Sequence, residues 1–242
     1  MTNIKVLYED NHIIAVEKPA GVLTQGDRSG EKCLMDMVKD YLKEKYKKPG
    51  QVFLGLVHRL DKPVSGIVLF GRTSKGASRL SEQFRNHTIQ KTYHAIVVGK
   101  PKESRGVITE KINKISFFAE GFTNKSDAEL LQEIKKATKS RTAELSWEVV
   151  RYVEKPYKIF KSEGLSLLKI LPKTGRFHQI RIQMANMGHP IFGDFKYSNQ
   201  KPLPDRSIAL CATAIIFKTT TEDKTVSLQI DLPESWNSLI GN

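Results

Sequence analysis

Two cysteines in 242 residues, Cys33 and Cys211, lie far apart, form no CxxC pair and sit among apolar neighbours. That scarcity excludes a disulfide framework and reads as buried thiols in a reducing compartment. No apolar run is long enough for a secretory signal or a membrane span, so a cytoplasmic protein with no membrane attachment is expected. The six histidines (12, 58, 87, 94, 178 and 189) contain no HxH or HxxxH spacing and have no nearby cysteine, so no metal is expected. Gly71 and Gly76 stand without a GKS or GKT, and Gly26 and Gly30 lack the strand-to-helix setting of a dinucleotide fingerprint, which removes nucleotide cofactors from the expectation. Ser65 sits in PVSGI rather than GxSxG, and nothing selects one histidine as its base. It reads as a turn residue.

Acidic residues are the scarcer charge. Lys and Arg number 39 against 26 Asp and Glu, a net charge of +13, and that excess favours a polyanionic partner, with nucleic acid ahead of an anionic membrane surface. A hydrophobic content of 39% suits a globular core. No fixed-period repeat and no Gly/Ser-rich or Pro-rich linker divides the chain, so residues 1–242 are read as one domain.

Residues 4–18 predict two short strands around Glu9-Asp10-Asn11, closed by the Pro19-Ala20-Gly21 breaker. Leu34, Met37, Val38, Tyr41 and Leu42 fall at helical spacing, as do Ala77, Leu80 and Phe84, whose helix carries Lys75, Arg79 and Arg85. Strands are expected at 67–73, 91–99, 144–150, 165–171 and in ALCATAIIF and TVSLQID. The stretch 100–140 turns polar, with a capping box at Ser126 to Glu129, and is read as a surface elaboration. RFHQIRIQMANMG predicts a helix over 176–188 with Gly188 near its C-cap. Strands outnumber helices and are joined mostly by short turns, which favours α+β with a largely antiparallel mixed sheet.

Two polar clusters interrupt this apolar pattern. HRLDKPVSG, residues 58–66, places His58, Arg59 and Asp61 between the apolar runs LGLV and IVLF. A carboxylate there must be paired or hydrogen-bonded, and Arg59 and Arg181 are its candidate partners. Read alone, such a bridge is as consistent with closing a loop as with chemistry. In GRFHQIR, residues 175–181, the side chains of Arg176, His178, Gln179 and Arg181 crowd a helix start, where cations oppose the macrodipole and require an anion. Tyr93 follows Lys91 by two residues in a strand, and an aromatic ring in a basic cleft can stack on a base.

HRLDKPVSG, then KTYHAIVVG about thirty residues on, then LPKTGRFHQIRIQMANMGHPIFGDFKY, resemble the RluA-type pseudouridine synthases in content, order and spacing. The resemblance runs from YEDNHIIAVEKPAGVL to LPESW. It implies an α+β fold with a bent mixed sheet and a central basic cleft. The implied enzyme isomerises uridine to pseudouridine in structured RNA, tRNA or rRNA, with no metal, nucleotide or organic cofactor. By the same resemblance Asp61 is the catalytic aspartate, and Arg59 replaces the flipped nucleotide. Tyr93 stacks on the target base, Ile180 lines the uracil pocket and Arg181 pairs with Asp61. His58, Arg176, His178 and Gln179 complete the expected substrate-binding set. Val64 stands where relatives commonly carry Thr, and Cys211 where a histidine is often found. Many relatives also carry an N-terminal RNA-binding module; here the catalytic motifs begin almost at once, so recognition is expected from the domain's own surface.

An ionised Asp61 suits glycosidic chemistry, because a carboxylate can stabilise or attack an oxocarbenium-like sugar carbon, and an adjacent Arg181 is expected to lower its pKa. Lys75, Arg79, Arg85 and Arg176 are expected to contact phosphates. Two other classes compete: an RNA-binding or chaperone-like protein with an idle pocket, and a hydrolase that releases free uracil. A monomer is the default expectation.

Overall fold

Ile13, Ile14, Ala15 and Val16 are four consecutive residues with 0% exposure, the pattern of a strand covered on both faces. They open β2 (Ile13–Lys18), which pairs antiparallel with β1 (Lys5–Glu9) and with β4 (Ser65–Gly71). The computed structural model describes residues 4–112, 140–154, 164–198, 203 and 205–241. Within them β3 (Gly55–Leu56) also pairs with β4, and β5 (Gln90–Val98), β6 (Arg105–Ile112), β7 (Arg141–Val153), β8 (Leu165–Pro172), β9 (Leu210–Lys218) and β10 (Thr225–Gln229) extend one mixed sheet. Its order is β1-β2-β4-β9-β5-β8-β7-β6, with β10 on β9 and β3 on β4.

Every described strand pair is antiparallel except β4 and β9, which run parallel through Ser65 opposite Cys211 and Gly66 opposite Ala212. Gly66 is obligatory there: its φ is +123°, and a Cβ would meet the Ala212 carbonyl oxygen at 2.4 Å. The sequence places this glycine five residues after Asp61, so the same motif that carries the carboxylate seats the strand after it against the middle of the sheet.

The helices follow their apolar spacing. In α1 (Leu34–Lys45), Leu34, Val38 and Leu42 are the buried stripe, and Asp36 accepts from the Cys33 backbone N–H at 3.2 Å to close the first turn. α2 (Ser74–Arg85) is capped by Thr73, whose Oγ1 accepts from Gly76 N–H at 3.1 Å, and buries Leu80. A 3₁₀ turn (Glu234–Trp236) and α4 (Asn237–Ile240) close the described chain.

Two sequence expectations change. Residues 105–112 are not surface elaboration but the edge strand β6, paired with β7 along its whole length; its exposure alternates residue by residue, as a one-face-buried strand requires. The Ser126 capping box and the helix after it lie outside the described residues. The helix expected over 176–188 is shorter: α3 spans Gln179–Asn186, because His178 takes the left-handed conformation, φ 49° and ψ 25°, which no α-helical turn accommodates. Gly188, φ +82°, ends it as expected.

Candidate active site

The loop that carries Asp61 is clamped from beneath. Lys18, with 0% exposure, donates Nζ–H bonds to the carbonyls of Pro19 at 2.9 Å, Val22 at 2.7 Å and Lys62 at 3.2 Å. Three acceptors match the three protons of an ammonium group, while burial pulls its pKa down to about 7. Thr24 Oγ1 donates to Leu60 O at 2.8 Å and accepts from Leu60 N–H at 3.2 Å, so the loop after β2 grips both sides of Asp61. The Val64 N–H donates to the Asp61 carbonyl at 3.0 Å and tightens the turn. His58 serves the same frame: its Nε2 accepts the Leu69 N–H at 2.8 Å, and its ring packs on Phe84 at 4.6 Å. Burial and the nearby Lys91 hold its pKa down at about 3. His58 borders the cleft, yet its Nε2 is already committed to β4.

The anion that the basic helix start requires is chiefly Asp194. Its carboxylate takes Arg181 Nε at 2.7 Å and Nη2 at 2.8 Å, a two-point pair between side chains exposed by only 1% and 5%. That fork leaves Nη1 to reach Asp61 Oδ2 at 3.3 Å. Burial nevertheless raises the Asp61 pKa above its ordinary 3.8: desolvation outweighs the favourable Arg181, and the Asp194 charge adds to the rise. Arg181 does act in the expected, lowering direction, but burial outweighs it and the net shift is upward. Arg59, the other candidate partner, is exposed and forms no ion pair with Asp61 among the described residues.

Asp61 lies in a cleft of about 550 Å³ bordered by four adjacent strands of the sheet: the loop entering β4, Leu210 at the start of β9, Tyr93 in β5 and Pro172 at the end of β8. The β5–β9 register slips between Thr92 and Tyr93, skipping Thr213, and the extra residue re-aims this part of the ladder. Tyr93 is half-buried, and its hydroxyl pKa is raised first by burial and then by the Asp61 charge. Ile180, Val64 and Leu210 supply apolar wall, and Arg59, Arg85, Lys91 and Arg176 also border the cleft. Lys75 and Arg79 do not; Arg79 pairs with Glu82 on α2 at 3.3 Å.

Every expected site residue borders this one cleft: Asp61, Arg59, His58, Tyr93, Arg176, His178, Gln179, Ile180 and Arg181. Their environments differ. The buried Gln179 side chain accepts from Thr174 Oγ1 at 2.7 Å and from Arg176 N–H at 3.0 Å and donates to Glu144 O at 3.1 Å, which makes it a brace for the loop from β8 rather than an open substrate contact. Sequence reasoning missed Asp194, Lys18 and Lys91. Asp194 follows Gly193 in the quoted GHPIFGDFKY stretch, where an acid among apolar residues was the available signal. Lys91 has no carboxylate partner among the described residues, and burial lowers its pKa.

Comparison with solved structures fixes the fold class. Human RNA Pseudouridylate Synthase Domain Containing 4 superposes with a TM-score of 0.72 at 22% identity, over 97% of this chain and 90% of that one. Human RNA Pseudouridylate Synthase Domain Containing 1 gives 0.69 at 20% identity, over 98% and 86%. The fold is thus the α+β pseudouridine synthase fold. The family described as RNA pseudouridylate synthase matches residues 12–186, and the ribosomal large subunit pseudouridine synthase C of Rickettsia bellii is 33% identical over 98% of this chain and 71% of its own length. A tRNA pseudouridine synthase C of Pectobacterium carotovorum is 36% identical over 80% of this chain and 48% of its own. The chain belongs to the RNA pseudouridylate synthase family, in its RluA branch, and is an isomerase that converts uridine to pseudouridine in RNA.

Proposed function

We propose that Asp61 is the catalytic carboxylate and that the substrate is a uridine in structured tRNA or ribosomal RNA. The observation that carries the assignment is a carboxylate with one oxygen tied to a buried guanidinium, in a cleft that also holds Tyr93 and Ile180. Among the described residues Oδ2 has partners and Oδ1 has none. Oδ1 is then the oxygen that meets the sugar. As the bond from C1′ to N1 breaks, a carboxylate beside C1′ either stabilises the positive charge, adds to the carbon or takes a sugar proton. The detached uracil turns between Tyr93 and Ile180, C5 bonds to C1′ as the carboxylate is released or returns the sugar proton, and the proton lost from C5 is balanced by the one that N1 gains. Apolar walls keep water from intercepting the sugar, which separates isomerisation from hydrolysis.

Arg59, exposed at the mouth and free of Asp61, fills the space that the extruded nucleotide leaves, offsetting an unstacking cost of about a few kcal/mol. Arg85 and Arg176 bind backbone phosphates. A monomer acting in the cytoplasm is part of the same reading. No helix among the described residues is long and apolar enough to cross a membrane. The test is Asp61→Asn on unmodified tRNA and rRNA transcripts. The variant should bind RNA and form no pseudouridine, and turnover at the wild-type rate would remove Asp61 from the chemistry. Salt-sensitive binding with no pseudouridine from the wild type would favour a binding protein, and free uracil in the mixture a hydrolase.

A further inference from the structure

We propose that His178 is a positioning residue for Asp61: the Tyr197 hydroxyl donates to its Nδ1, its Nε2–H donates to Asp61 Oδ2, and the carboxylate is thereby turned to present Oδ1 to the ribose. The inference rests on the catalytic role given to Asp61 above. It replaces the expectation that His178 binds substrate directly.

The role requires one proton arrangement, with Nε2 the donor. His178 Nε2 lies 3.3 Å from Asp61 Oδ2, and Nδ1 lies in a short contact with Tyr197 Oη. A bare nitrogen facing a carboxylate oxygen would set lone pair against charge, so the proton is on Nε2. Nδ1 must then accept, and Tyr197 must donate. Burial raises the Tyr197 hydroxyl pKa and keeps that proton in place. Burial together with Arg181, Lys196 and Arg59 pulls the His178 pKa down to about 3, so the ring donates as a neutral group over the working pH range.

The ring is also held mechanically. Phe177 stacks on it at 3.8 Å and 15°, Tyr197 meets it edge-on at 5.5 Å, and Arg181 Nη1 lies 3.4 Å from both ring nitrogens. His178 carries this ring from a left-handed backbone position, a strained conformation for a residue other than glycine. An ordinary helical φ would direct the side chain elsewhere. Four independent constraints therefore converge on one imidazole whose Nε2 meets the reactive carboxylate.

The test reads the Asp61 carboxylate directly. Besides His178 and Tyr197 themselves, the charged and titratable groups around it are Arg181, Arg59, Lys18, Lys196, Asp194 and Tyr93, and none of these six is replaced in Tyr197→Phe or His178→Ala. Loss of a donor to the ionised form raises the pKa, so the ¹³C-carboxyl titration of Asp61 should move to higher pH in both variants, further in His178→Ala. With enzyme in saturating excess over RNA the single-turnover rate should fall roughly 10-fold or more in His178→Ala, the scale of one hydrogen bond to a charged acceptor, with Kd for RNA within about 2-fold of wild type. His178→Gln, which can return an N–H near the Nε2 position, should recover part of both effects. Tyr197→Phe keeps the ring in place and guards against a folding defect. An unmoved Asp61 titration in both variants, or a weakened Kd with the saturated rate intact, would overturn the proposal. A shifted titration in a protein that forms no pseudouridine would leave the positioning role standing and remove the catalytic reading instead.

Discussion

Replacing Asp194 with Asn removes one charge from a buried carboxylate and leaves Arg181 facing an amide. The amide oxygen can still accept from Nη2, but its NH₂ opposes the Nε–H that now lies 2.7 Å from Oδ2. Removing one partner of a buried pair costs about 3–5 kcal/mol, and Arg181 keeps Asp61 at 3.3 Å, which places the loss near the lower end, about 3 kcal/mol. At 2–4 °C per kcal/mol for a chain of this size, Tm should fall by roughly 6–12 °C in calorimetry. Asp61 should respond in the opposite sense. The Asp194 charge raises its pKa, so removing that charge and freeing the guanidinium lowers it, and the acid limb of the single-turnover rate moves to lower pH. A less stable enzyme that keeps its carboxylate ionised at lower pH is the signature. A Tm within about 2 °C of wild type, or an acid limb that moves up, would refute the reasoning.

In the wild type the same burial places the acid limb above the ordinary aspartate value of 3.8, readable as rate against pH under single turnover. A carboxyl whose folded pKa is raised destabilises the fold as pH climbs from 3.8 toward that higher value, so Asp61→Asn should abolish activity without lowering Tm at neutral pH. Gly66→Ala should cost at least about 2 kcal/mol in denaturant unfolding, since its Cβ would lie 2.4 Å from the Ala212 carbonyl oxygen at a φ of +123°. Arg85→Ala and Arg176→Ala should each reduce the slope of log affinity for RNA against log salt by roughly 0.7–0.9, with the saturated rate unchanged; an unchanged slope would remove them from the phosphate contacts.

Strand and helix periods were readable locally because each is set by neighbours within one turn or one pleat. The α1 stripe of Leu34, Val38 and Leu42 depends on residues three to four apart, and it matches the structure. Periodicity starts α3 three residues early because it does not record the left-handed His178, whose ring packs against Phe177, Tyr197 and Arg181. β6 reads as surface chain in the sequence because its polar composition hides an alternation that only pairing with β7 makes meaningful.

The order of the motifs, the carboxylate at 61, the guanidinium at 181 and the glycine at 66 are properties of the chain, and with them the chemistry available to it. Which anion holds which cation belongs to the folded state. Asp61 and Arg181 are 120 positions apart, and only a sheet that sets β4, β9, β5 and β8 side by side brings them to 3.3 Å. That same enclosure buries Asp194 against Arg181 and lifts the Asp61 pKa, reversing the shift that the pair alone would give. Desolvation depends on everything packed around a group, and sequence records only which groups exist.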